Sequence, residues 1–189
     1  MMEHAPTSLV TVGTGAAGVD WIKDFIRDVP DFPKPGVVYK DITPLLGDGK
    51  AFSRTVDALA EGVPRGRIDK VVGIEARGFI LAAPVALRLG AGFVPVRKAG
   101  KLPSSVTSQT YSLEYRSDTL EIHTDALAAG ERVLIVDDVL ATGGTAAATT
   151  ALVRALGGEV AGVACVVELA FLGGRGKLGG LDAVCLVTY

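Results

Sequence analysis

Cysteine and histidine are close to absent from this chain, which has two of each among its 189 residues. Cys165 and Cys185 lie in separate apolar runs with no C-x-x-C spacing and no histidine beside them. That pattern argues against a metal centre or a disulfide framework, and both read as buried thiols in a reducing compartment. His123 has no His or Cys at ligand spacing and reads as a surface or hairpin residue. A dominant charge sign is also missing: 19 Lys and Arg against 21 Asp and Glu leave a formal net charge of −2. A global field that would draw the chain to nucleic acid or an anionic membrane is therefore not expected. Any anion must be held by local geometry. No apolar run reaches the length of a membrane span, and the N-terminus has no basic region leading into an apolar core. A soluble cytoplasmic protein is the expectation, with no nucleic-acid or membrane partner.

What is present is organised around Val133 to Thr145. Four aliphatic residues, Val133-Leu134-Ile135-Val136, lead into Asp137-Asp138, then into the small-residue turn Ala141-Thr142-Gly143-Gly144-Thr145. The aliphatic run reads as a strand buried on both faces, as in a parallel sheet. Ala146 to Leu156 reads as the following helix, stopped by Gly157-Gly158. Unpaired N–H groups at such a helix start, with the positive end of its dipole, hold a phosphate. Two acids beside an anion site would repel the anion unless the ligand also carries hydroxyls, which carboxylates accept hydrogen bonds from. A ribose 5-phosphate has that shape.

Taken in order, Met1 to Gly18 is low in charge and ends in Gly13-Thr14-Gly15-Ala16-Ala17-Gly18, formally a GxGxxG. A dinucleotide site needs a following helix and a second strand ending in an acid. A short helix from about Val19 to Arg27 is expected, but Pro30, Pro33 and Pro35 then interrupt the chain and Val37-Val38-Tyr39 is a meagre strand. Residues 1–18 read instead as a flexible extension, and 19–189 as one domain. Lys40 to Leu46 reads as an irregular loop, and Ala51 to Glu61 as a helix. Val71 to Ile74 is a buried strand ending in Glu75-Ala76-Arg77, before a helical run Phe79 to Leu89 that Pro84 should delay or kink. Ligands of open α/β sheets gather at the carboxyl ends of strands, so Glu75 and Arg77 should face the same crevice as Asp137 and Asp138.

Phe93 to Val96 is a third strand, leading into Arg97, Lys98 and Lys101, three cations within five residues and suited to a polyanion such as pyrophosphate. Ser104 to Ser108 reads as a mobile loop. Gln109 to Tyr115 and Thr119 to His123 alternate as a hairpin around Arg116-Ser117-Asp118, and together they have the character of an active-site lid. Val160 to Val167 and Ala183 to Val187 complete the strands. Gly173-Gly174-Arg175-Gly176-Lys177 is turn-rich, but no GxxxxGK[ST] phosphate loop exists, nor any internal repeat or interdomain linker.

With these pieces placed, the sequence resembles the adenine phosphoribosyltransferases from about Val19 to Tyr189. Val133 to Thr145 is similar to the family's motif for 5-phosphoribosyl 1-diphosphate (PRPP), which alone marks any type I phosphoribosyltransferase. The adenine assignment comes from Asp31-Phe32-Pro33-Lys34-Pro35-Gly36-Val37-Val38 with Asp41-Ile42, from Arg97-Lys98 with Gly100-Lys101-Leu102-Pro103, and from Tyr111-Ser112-Leu113-Glu114-Tyr115.

The resemblance implies an α/β fold with a mostly parallel central sheet flanked by helices, a small N-terminal hood and a hairpin lid. It implies purine salvage, with adenine and PRPP giving AMP and pyrophosphate, by a homodimer. Ala141, Thr142, Gly143, Gly144 and Thr145 would hold the 5′-phosphate, and Asp137 and Asp138 would face the ribose hydroxyls. Glu75, Ala76, Arg77, Arg97, Lys98 and Lys101 would meet pyrophosphate, Arg97 across the dimer interface. Mg²⁺ would arrive bound to PRPP, without direct protein ligands. Val38, Lys40 and Leu169 would surround the purine, Glu114 would exchange a proton with the adenine ring, and Tyr115 would help close the lid. Two positions depart from the family pattern: Ala99, where many relatives have a basic residue, and Lys40, often Arg. Two rival readings share the fold, a 6-oxopurine enzyme and a PRPP-sensing regulator. The regulator would need a DNA-reading element, and the first 70 residues contain no basic helix pair.

Overall fold

The computed structural model describes residues 18–63, 65–112 and 117–189. The Gly13 to Gly18 motif, apart from its last glycine, and Glu114 and Tyr115 lie outside the described residues. In chain order the elements are β1 (Arg27–Pro30), β2 (Val38–Asp41), α1 (Thr43–Gly47), α2 (Gly49–Glu61), β3 (Lys70–Ile74), α3 (Arg77–Leu89) and β4 (Gly92–Lys98). Then come β5 (Val106–Ser112), β6 (Ser117–His123), β7 (Arg132–Leu140), α4 (Gly144–Ala155), β8 (Glu159–Glu168) and β9 (Ala183–Thr188).

The main sheet runs β5-β6-β4-β3-β7-β8-β9, with parallel pairing from β4 through β9 and antiparallel pairing of β4, β6 and β5. The aliphatic run of β7 sits near the centre because both of its faces are covered. Leu134 and Val136 join the core beneath α1, α2 and α3, whereas Val133 and Ile135 join the one beneath α4. A continuous apolar strand suits that two-sided burial. β1 and β2 form a separate antiparallel ribbon, the expected hood.

Several elements differ from the sequence reading. Lys40 to Leu46 is not an irregular loop: Lys40 and Asp41 complete β2, and α1 begins at Thr43 with Pro44 in its first turn. Proline is tolerated there because the N–H it lacks has no intrahelical partner anyway. Only Ser104 and Ser105 of the expected mobile loop are irregular, since Val106 opens β5 and pairs with His123. Backbone pairing across the hairpin overrides the small, polar composition of that segment. The expected Val19 to Arg27 helix is a shorter 3₁₀ turn, Asp20–Phe25, which buries Ile22. Helix α3 starts early, at Arg77, and continues through Pro84. Pro84 shares its face with the exposed Ile80 and Leu87, where water can satisfy the carbonyl it leaves unpaired.

Candidate active site

Parallel strands place their carboxyl ends on one edge of the sheet, and β3, β4 and β7 deliver their charged turns there. A cavity of about 580 Å³ opens at that edge. Its lining includes Glu75, Ala76 and Arg77 after β3, Lys98 and Lys101 after β4, and Asp137 and Asp138 near the end of β7. Ala141, Thr142, Gly143 and Thr145 close one side, and Tyr111 and Asp118 of the hairpin another.

The two acids at the floor are handled differently. Asp138 is buried and accepts a hydrogen bond from the Arg77 Nε, so its charge is paired. Asp137 accepts the Asp138 backbone N–H at 2.9 Å. Burial, followed by the neighbouring Asp138 carboxylate, pushes the Asp137 carboxyl well above the usual range. The two acids thus stand side by side on the cavity wall, one paired with a cation and the other not.

The turn into α4 leaves its donors open. Gly143 caps the helix at φ 76°, no side chain caps it, and the Gly143 carbonyl accepts the Ala147 N–H at 2.9 Å. The first N–H groups of the helix are thus available to an anion. A Cβ on Gly143 would stand 2.2 Å from the Gly174 carbonyl oxygen, so the turn is packed backbone to backbone from behind.

Glu75 gathers the cations opposite. Its Oε1 accepts from the Lys101 Nζ at 2.7 Å, and its Oε2 accepts from the Lys98 backbone N–H at 3.0 Å and the Arg97 Nε at 3.3 Å. Desolvation raises the Glu75 carboxyl, but these hydrogen bonds outweigh it and hold the group at about 2. Arg97 also donates to the Lys101 carbonyl at 3.0 Å. A single carboxylate therefore ties together the Arg97 and Lys101 side chains and the Lys98 backbone, while the Lys98 ammonium reaches Asp118. The Glu75–Ala76 peptide bond is cis.

The structure thus brings Glu75, Ala76, Arg77, Lys98, Lys101, Asp137, Asp138, Ala141, Thr142, Gly143 and Thr145 to one cavity. Gly144 is buried at the helix start, against the Tyr111 ring. Val38, Lys40, Leu169 and Arg97 stand outside that lining. Val38 is half-exposed on the hood, next to Tyr39, whose ring lies 5.2 Å from the Arg77 guanidinium. The Lys40 Nζ is 2.7 Å from the Asp28 carboxylate and 3.8 Å from the centre of the Tyr189 ring. Leu169 follows β8 and donates its N–H to the Leu140 carbonyl at 3.0 Å.

Two participants were missed by sequence reasoning. The Tyr111 hydroxyl lies 3.4 Å from the Thr145 hydroxyl, tying the hairpin to the helix turn, and Asp118 lies 3.4 Å from the Lys98 Nζ. Period-two alternation put Tyr111 on the hairpin but could not show which turn it would meet.

Open helix-start donors, paired acids and a cationic cluster at the carboxyl edge of a parallel sheet are what a type I phosphoribosyltransferase needs, and the phosphoribosyl transferase domain model matches residues 46–177. The adenine phosphoribosyltransferase of Streptomyces coelicolor is 64% identical over 81% of this chain and 84% of its own. That of Geobacter metallireducens is 58% identical over 90% and 100%. Among solved structures, the enzyme from Thermoanaerobacter pseudethanolicus superposes with a TM-score of 0.88 at 51% identity, covering 90% of this chain and 99% of that one. The Saccharomyces cerevisiae enzyme, complexed with an imino-altritol bisphosphate and adenine, gives 0.85 at 42% identity, covering 89% and 98%. This chain belongs to the adenine phosphoribosyltransferase family.

Proposed function

We infer that this protein is a purine salvage enzyme that forms AMP and pyrophosphate from adenine and PRPP. The supporting observation is the juxtaposition in one cavity of Asp137 and Asp138, the open turn Ala141 to Thr145, and the cations gathered by Glu75. A sugar carrying phosphate at one end and diphosphate at the other matches that sequence of surfaces.

In the reaction adenine N9 forms a bond to C1′ of the ribose, and the bond from C1′ to the diphosphate oxygen breaks. The electron pair leaves with pyrophosphate. Backbone N–H groups at the start of α4, with the Thr142 and Thr145 hydroxyls, bind the 5′-phosphate. Asp137 and Asp138 accept hydrogen bonds from the ribose hydroxyls and stabilise positive charge developing on the ring. Arg77, Lys98 and Lys101 receive the negative charge that accumulates on the leaving group, with Arg97 beside them. Val38 and Leu169 supply apolar contact to the purine, with Lys40 nearby. Glu114 takes the proton that adenine loses on attack, and Tyr115 closes the lid with it.

Mg²⁺ would arrive bound to PRPP, held by its oxygens and water without direct protein ligands, and would supply charge neutralisation on the diphosphate. A homodimer is supported by the exposed apolar side chains Ile80 and Leu87 of α3 and Phe93 of β4. Within one chain Arg97 already contacts Glu75, so a reach to the partner's site would exchange that contact. The free, buried Cys165 and Cys185 suit the reducing cytoplasm. No helix among the described residues is long and apolar enough to cross a membrane.

The deciding assay mixes protein, PRPP and Mg²⁺ with adenine, hypoxanthine or guanine separately. Pyrophosphate release with adenine alone is expected. Turnover of hypoxanthine or guanine instead would assign a 6-oxopurine enzyme, and PRPP binding without turnover would assign a regulator.

A further inference from the structure

Outside the cavity, Arg175 makes the most complete set of charged contacts in the described residues. Its Nε and Nη2 donate to the two oxygens of Glu168 at 2.7 and 2.8 Å, and its Nη1 donates to the Ala183 carbonyl at 2.7 Å. Glu168 is 7% exposed and ends β8, immediately before Leu169. A bidentate guanidinium–carboxylate pair fixes direction as well as distance. Arg175 therefore pins the 3₁₀ turn Gly174–Lys177 to the ends of two strands at once.

That turn is the back wall of the phosphate loop. A Cβ on Gly174 would lie 2.2 Å from the Ala141 carbonyl oxygen and 3.1 Å from the Gly143 nitrogen. From the other side, a Cβ on Gly143 would meet the Gly174 carbonyl at 2.2 Å. Neither contact leaves room for independent movement. The loop has no side-chain cap of its own at Gly143, so its position depends on what stands behind it.

We propose that Arg175 is a positioning residue for the 5′-phosphate site, holding the Gly174–Lys177 turn against Ala141 and Gly143 through its pairing with Glu168. This rests on the reading of Ala141 to Thr145 as the 5′-phosphate cradle. Arg175 does not line the cavity and touches no substrate in this scheme. Its effect is to set where the N–H donors of that cradle point, and such donors lose most of their value when displaced by a fraction of an ångström. Lysine in its place keeps the charge but cannot make the planar, two-pronged contact while also reaching Ala183.

The test compares AMP with adenosine, which differ only in the 5′-phosphate. Dissociation constants for both are measured by calorimetry on the full chain, together with kcat, the KM for PRPP and the thermal midpoint. Wild-type protein is expected to prefer AMP strongly. Arg175→Lys should shrink that preference by about tenfold to a hundredfold, through weaker AMP binding and unchanged adenosine binding. It should raise the KM for PRPP in proportion and leave kcat within about threefold. An unchanged preference in a folded variant, even one with a lowered thermal midpoint, makes the ion pair merely structural and overturns the proposal. Should Arg175→Lys fail to fold, Gly174→Ala presses the turn on Ala141 with the ion pair retained. Loss of the AMP preference there supports the proposal, and its retention overturns it. A wild-type protein that does not distinguish AMP from adenosine overturns the cradle reading itself, a result separable from any property of Arg175.

Discussion

Arg77 and Asp138 stand 61 positions apart in sequence and share a hydrogen bond at the cavity floor, joining the start of α3 to the end of β7. The pair explains how two adjacent acids are kept beside an anion site. Asp138 is paired with a cation inside the protein, while burial and the adjacent carboxylate push the Asp137 carboxyl up. Removing the guanidinium leaves Asp138 buried and unpaired. Arg77→Ala should therefore cost about 1–3 kcal/mol of stability as well as weakening PRPP binding. Adding Asp138→Asn should recover part of the stability but not the binding. Chemical denaturation of both single variants and the double variant checks this, and purely additive losses would mean that the two groups are not coupled.

Glu75 makes a pH prediction. Its carboxyl lies at about 2 in the folded protein against an ordinary 4.5, because Lys101, the Lys98 N–H and Arg97 donate to it despite desolvation. A depressed folded value means stability that is present above pH 4.5 and lost as the pH falls toward about 2. Asp41, held at about 2 by the Thr43 hydroxyl and N–H and by Arg27, contributes over the overlapping window from 3.8 down to about 2. The difference between wild type and Glu75→Gln cancels the Asp41 contribution. That difference in thermal midpoint should be largest near neutral pH and shrink below 4.5. A difference independent of pH would show that the cations are not organised by this charge.

Tyr111 offers a finer test of the lid. Its hydroxyl, 3.4 Å from that of Thr145, is a long contact at the edge of the cradle. Tyr111→Phe should leave stability within about 0.5 kcal/mol and raise the KM for PRPP by only a few-fold. Thr145→Val removes a hydroxyl that the proposed reading places on the phosphate and should raise that KM by an order of magnitude or more. Equal effects would place Tyr111 in direct contact with the ligand.

Legibility from sequence follows the range of each interaction. Val133 to Thr145 declared its strand, turn and helix because periodicity, two acids and two glycines are local signals. Glu75 and Arg77 were placed in the same crevice by the rule that parallel strands present their carboxyl ends together, and the cavity bears that out. The pairing of β5 from Val106 onward was not legible, since Ser104 to Ser108 carries no apolar alternation and acquires its strand from hydrogen bonds to β6. Arg175 was invisible for the same reason. Its partners Glu168 and Ala183 belong to strands on either side of it, and a turn rich in glycine gives no sign of what it leans against.

Glu114 and Asp137 should separate chemistry from binding. Glu114→Ala is expected to lower turnover far more than PRPP affinity, because a proton acceptor for adenine is needed only once attack begins. Asp137→Ala should damage both, since in the proposed reading the same side chain meets the ribose hydroxyls before and during reaction. Steady-state kinetics with a separate PRPP binding measurement decides between them. Unchanged turnover in the Glu114 variant would remove it from the catalytic role.

The two glycines of the cradle are predicted to differ sharply. Gly143 adopts φ 76°, where a side chain costs about 1–2 kcal/mol in strain, and its Cβ would also strike the Gly174 carbonyl oxygen at 2.2 Å. Gly144 has an ordinary helical start, and its Cβ would meet only the edge of the Tyr111 ring at 3.3 Å, which a small rotation relieves. Alanine also favours a helix over glycine by about 1 kcal/mol. Gly144→Ala should therefore keep stability near or above that of wild type, with at most a few-fold rise in the KM for PRPP. Gly143→Ala should lose stability and most PRPP affinity together, because the strain and the clash fall on the loop proposed to offer its N–H groups to the phosphate. Thermal melts and PRPP titrations of the two variants give the comparison. A tolerated Gly143→Ala would mean that the turn behind the loop yields easily, and the rigid backing by Gly174 would have to be abandoned.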